Sequence, residues 1–297
     1  MAEKNTQYYV PGQSPWPFIT AVALFLVALG AATFIQQNSG SSIVNNEGSS
    51  GSYILPLGLT LIVIMMFVWF RDTIKESLAN MNSPQMDRSY RMGMLWFIFS
   101  EVMFFGAFFG ALFYVRILAV PWLGGAGEEA MTHELLWPNF QAMWPLTLTP
   151  GGGTTEAMPA WGLPFLNTVL LVTSSITLTI AHHALVAGQR NKLLISLFLT
   201  LVLGFAFLFF QVEEYVHAYT EMGLTLDAGI YGSTFFMLTG FHGMHVTIGA
   251  TMLTIMFLRA LKGNLKPDNH FAFEASAWYW HFVDVVWLFL FVSVYWL

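Results

Sequence analysis

Charge is the scarcest thing in this 297-residue chain: Asp, Glu, Lys and Arg together make up 9% of it, and Lys and Arg number only 11. An ordinary soluble domain carries about 25% charged residues to keep its surface wet, so a soluble fold is excluded. Cysteine is missing altogether. That removes disulfide frameworks, iron–sulfur clusters, zinc thiolates and a cysteinyl copper site. With a formal net charge of −6, nucleic acid is not an expected partner either. What fills the chain instead is apolar: 56% of residues are hydrophobic and 16% are aromatic. Disorder needs the opposite composition. The remaining class is an integral membrane protein.

About 20 residues of helix cross a hydrocarbon core of roughly 30 Å. By that measure the sequence predicts seven spans in a single membrane domain 1–297, at about 18–36, 53–70, 93–118, 161–187, 193–216, 231–258 and 273–296. Sustained strand alternation is absent, so the expected class is all-α rather than a barrel. The first apolar run follows PGQSPWP instead of a basic stretch and reads as a retained helix. Two long connections lie on one side, the Gly/Ser/Asn loop 37–52 and the Gly-, Pro- and Trp-rich loop 117–160. The second carries Glu128, Glu129, Glu134 and Glu156 and reads as an ordered cap or a partner-contacting loop, with disorder the alternative. Every basic residue except Arg116 falls on the opposite side. Lys and Arg mark the cytoplasmic side, which puts the N-terminus in the cytoplasm and the C-terminus outside.

Charged residues inside apolar spans cost about 2.5–3.5 kcal/mol each on insertion scales, so each one needs a reason. Glu101 sits in FIFSEVMFFGAFFG on span three and reads equally as a proton-handling or lipid-contacting group and as a satisfied interhelical hydrogen bond. His281 and Asp284 share a face of span seven, and a structural pair tying helices together is the favoured reading. His242 and His245, also three apart on span six, read as packed, hydrogen-bonded histidines ahead of metal ligands. His182 and His183 close span four at the interface. At about 1.5 Å per residue, Glu101, His281 and Asp284 fall in one layer with His245 at its edge, which predicts a shared buried network. Gly106 and Gly110 form a GxxxG face on span three, an expected close-packing surface for another helix. WFRDTIKES, between spans two and three, suits anionic lipid head groups as well as a topology signal. Two rival readings stay open at this level. One is a redox protein holding haem or copper on His182, His242, His245 or His281, and the other is a proton transporter built on Glu101.

Several strings are too long for chance. WYWHFVDVVWLFLFVSVYW at 278–296, YGSTFFMLTGFHGMHVTIG at 231–249, AHHALVAGQR at 181–190 and RMGMLWFIFSEVMFF at 91–105 closely resemble cytochrome c oxidase subunit III. WFRDTIKES at 69–77 and SPWP at 14–17 match as well. The resemblance covers all seven spans and implies two bundles, spans one and two against spans three to seven, separated by a lipid-filled cleft. It implies a non-redox supporting subunit of a proton-pumping oxidase of aerobic respiration, which reduces oxygen to water. Catalytic residues, metal and cofactor are then expected to be none in this chain, with haem and copper in the partner subunits I and II and cytochrome c as substrate of the whole complex. Bound phospholipid is implied at Trp69, Lys75, Arg91, Arg259 and Lys262. Glu101 matches the family's buried glutamate. The long loops and the missing cysteine fit a bacterial member in the plasma (inner) membrane. Lys75 stands where arginine is frequent in the family, and residues 78–90 lack the histidine that members often carry there. A quinol-oxidising subunit III is the same-family alternative.

Overall fold

A computed structural model describes residues 14–38, 51–79, 81, 83–127, 130–267 and 270–297. Lys4, Glu128, Glu129 and most of the loop 37–52 lie outside the described residues. Long helices dominate: α1 (Trp16–Asn38), α2 (Gly51–Leu78), α3 (Pro84–Tyr114), α4 (Val120–Leu123), α5 (Ala130–Leu136), α6 (Leu163–Val186), α7 (Arg190–Thr220), α8 (Ile230–Leu261) and α9 (Phe271–Leu290). A π-helical turn, Val115–Ala119, joins α3 to α4, and another, Phe291–Trp296, extends α9. Seven of the helical runs are long and apolar enough to cross a membrane, which makes this a multi-pass membrane protein of all-α class. Several helices outrun their apolar stretches. α2 continues past Phe70 to Leu78 and α7 reaches Thr220, because backbone hydrogen bonding does not stop where lipid does.

The chain divides into two compact units, Met1–Ser89 and Tyr90–Leu297. In the first, α1 and α2 pair tightly. A side chain at Gly30 would run into the backbone of Leu55, and one at Gly58 would stand 2.7 Å from the Val27 nitrogen. Bare glycines let the two backbones touch, and close packing is what holds membrane helices together when lipid removes the hydrophobic incentive. Thr20 adds a hydroxyl contact of 3.4 Å to the sulfur of Met65.

In the second unit α6 packs on α7 and α9, and α8 on α7 and α9. Trp280, 1% exposed, is wedged among these helices. Its indole NH donates to the Ser174 hydroxyl of α6 at 2.9 Å. A methyl group at Gly204 of α7 would lie 2.7 Å from its ring, and one at Gly249 of α8 would lie 2.9 Å away. α3 rests on α8 and α9 through rings, Phe104 on Phe241, Phe105 on Phe282 and Phe97 on Tyr279. The GxxxG face of α3 meets no packing partner among the described residues: a methyl group at Gly106 or Gly110 would find nothing within 4 Å.

The loop 117–160 is folded over one end of this unit. Thr155 donates its NH to Thr147, Glu156 to Met222, and Met158 to the Tyr231 hydroxyl at 3.1 Å. Its own Phe140, Leu146 and Met158 are buried. We call this the cap end and the opposite one, with Arg190, Arg259 and Lys262, the basic end.

Candidate functional site

The aromatic ladder of α3 fixes where Glu101 points. Phe104 and Phe105, one turn on, pack around the ring of His245 at 5.9 and 5.0 Å, and Tyr279 of α9 stacks at 6.3 Å. Inside this box the Oε2 of Glu101 lies 2.9 Å from the Nε2 of His245. The other ring nitrogen, Nδ1, is 2.6 Å from the main-chain oxygen of Phe241, one turn back on α8. A carbonyl only accepts, so Nδ1 carries a hydrogen. One further proton must then lie between Nε2 and the carboxyl group. Whether it sits on oxygen or nitrogen, the pair as a whole is neutral. That explains how an acid and a base coexist in an apolar span: His245 is 6% exposed and Glu101 21% at the side chain.

His281 and Asp284 go elsewhere. The His281 ring reaches Thr179 of α6 at a long 3.5 Å. Asp284, 8% exposed, turns toward Ser175 of the same helix, short of a well-formed hydrogen bond. The layer expected from depth is therefore split: α3 and α8 hold one pair, while α9 presents the other two residues to α6. His242 is fully buried between Phe207 and Trp287, and neither ring nitrogen has a partner among the described residues. It is packed as expected but not hydrogen-bonded. No group of three or more His, Asp or Glu side chains is arranged to hold a metal among the described residues.

The family described as cytochrome c oxidase subunit III matches residues 6–297. The chain belongs to the cytochrome c oxidase subunit III family. Cytochrome c oxidase subunit 3 of Neotragus moschatus is 40% identical over 297 residues, covering 100% of this chain and 99% of the relative. The same protein of Tetraodon nigroviridis is 39% identical with the same coverage, as is that of Bos mutus grunniens. Family membership makes this chain a subunit of an oxidoreductase complex and implies other oxidase subunits as its neighbours.

The five expected lipid positions fall in both units. In the first, Trp69 is 46% exposed, and Lys75, also exposed, stands 3.7 Å from Asp72 on its own helix. In the second, Arg91 makes a 2.7 Å ion pair with Glu274 of α9 and lies over the Phe271 ring at 5.2 Å. Arg259 is half-buried and Lys262 exposed at the end of α8. Near Glu274 the histidines gather: His182 is 5.6 Å from His270 and 6.5 Å from His183, ring to ring.

Sequence reasoning missed one buried acid. Glu214, 1% exposed, accepts a hydrogen bond from the Tyr295 hydroxyl at 2.7 Å. Its signal was present. The buried face of α7 runs Leu197, Gly204, Gln211, Ala218 and Thr200, Phe207, Glu214, two rows at seven-residue spacing that mark a packing seam. Glu213, beside it, is exposed.

Proposed function

We propose that this chain is a non-redox supporting subunit of a proton-pumping cytochrome c oxidase, working beside subunits I and II with cytochrome c as electron donor. It stabilises the catalytic subunit, binds phospholipid and supports proton uptake. The family match across 6–297 carries the reading. The Glu101–His245 pair supports the proton-uptake part, since a proton can shift between a partly open carboxyl group and the imidazole while the pair itself stays neutral. Phospholipid belongs at the basic ends of the helices, where Arg259 and Lys262 offer donors to a phosphate and Arg91 adds positive charge. The distribution of Lys and Arg orients the N-terminus to the cytoplasm and the C-terminus to the periplasm of a bacterial inner membrane.

The test is Glu101→Gln in the assembled oxidase. Proton uptake during turnover should slow relative to the native complex, while the number of protons pumped per electron stays the same. Uptake equal to native at every pH would remove Glu101 from proton supply.

A further inference from the structure

The cap end of the second unit holds a buried carboxyl group that the proposed function does not use. Glu214 lies in the α7 seam with 1% of its surface exposed. Its Oε1 accepts from the Tyr295 hydroxyl at 2.7 Å. Among the described residues its Oε2 has only the Gln211 amide nitrogen, at a stretched 3.5 Å. The groups facing it are Gln211 and Tyr215 on its own helix, Tyr231 of α8 and Tyr295 of the terminal π-helical turn. None is basic, and no ion pair reaches Glu214 among the described residues. Around them stand Phe235, which contacts Tyr295 at 5.5 Å, and Trp287, at 5.9 Å.

A carboxylate in such surroundings would lose its water and gain no counter-charge, a penalty of several kcal/mol. The polar neighbour of its Oε2, Gln211, is a neutral amide and supplies no compensating charge. We propose that Glu214 is held as a neutral carboxylic acid and that its contact with Tyr295 is a proton-dependent latch on the terminal turn Phe291–Trp296. Just beyond the turn, the Arg116 guanidinium donates to the Leu297 main-chain oxygen at 2.7 Å, and within it the Ser293 hydroxyl donates to the Phe289 carbonyl. Ionisation leaves a carboxylate short of water in the seam, a cost that outweighs its stronger contact with Tyr295 and is relieved when the short terminal turn yields, so the latch loosens as pH rises.

The experiment uses the assembled oxidase containing the full chain. Infrared spectra in water and heavy water should show a protonated-carboxyl band that Glu214→Gln removes and Tyr295→Phe shifts upward. Hydrogen exchange in residues 291–297, corrected for intrinsic base catalysis, should rise with pH in the native chain and stay flat in Glu214→Gln. A carboxyl band unchanged by Glu214→Gln, or the same pH-dependent exchange in both, overturns the proposal. Should Glu214→Gln fail to assemble, Tyr295→Phe decides: an unshifted band overturns it.

Discussion

Glu101 and His245, 144 positions apart in sequence, meet at 2.9 Å and hold one proton between them. The hydrogen on Nδ1 of His245 is already committed to Phe241 at 2.6 Å, so the Nε2 side depends on what Glu101 provides. The carboxyl group is thus as much a structural partner for the histidine as a reactive group.

Replacing Glu101 should therefore separate two effects. Gln keeps a donor facing Nε2 and should assemble with near-native stability. Ala leaves a buried ring nitrogen unsatisfied, which costs about 1–3 kcal/mol. Detergent-inactivation midpoints of the two variants check this. Equal loss in both would mean that the charge, and not the hydrogen bond, holds the pair.

The Trp280 seat makes a prediction of opposite kind. A methyl group at Gly204 would stand 2.7 Å from the indole, so Gly204→Ala overpacks the meeting point of α6, α7 and α9. Such insertions cost typically about 1–3 kcal/mol. Trp280→Phe in the Gly204→Ala background should recover part of the loss, because the smaller ring vacates the contact, although the bond to Ser174 goes. Chain yield in the purified complex and its thermal midpoint measure both.

Arg91 is held by charge and by stacking together, 2.7 Å from Glu274 and 5.2 Å over Phe271. The pair is only partly shielded, so removing either partner should cost about 1–2 kcal/mol, between the exposed and buried limits. Arg91→Lys should fall between native and Arg91→Ala, since lysine keeps the charge but loses the planar fork and most of the stacking. Phosphate content of the purified complex, measured alongside, should fall in Arg91→Ala if the same guanidinium also holds lipid. Unchanged phosphate would confine Arg91 to the ion pair.

The spans were legible because an apolar run of the right length has few alternatives once charge is this scarce. Their ends were not: the stretch from Arg71 to Leu78 is polar enough to leave lipid yet still helical. Glu101 was legible as an anomaly, but its partner was not. Depth along a helix ranks residues by layer and says nothing of the direction in which a helix turns its face, and α9 turns His281 and Asp284 to α6. Glu214 escaped because an acid near the end of an apolar run resembles an interfacial charge. The seven-residue rows through Gly204, Gln211 and Phe207 were the available correction.

The central claim is that this chain supports the oxidase without carrying its redox chemistry. Removing the chain from the purified complex, then following haem absorbance and oxygen consumption, tests it most directly. The account predicts an unchanged haem spectrum, near-native initial turnover and activity that decays faster with each cycle. Loss of the haem spectrum, or activity as durable as in the intact complex, would contradict it.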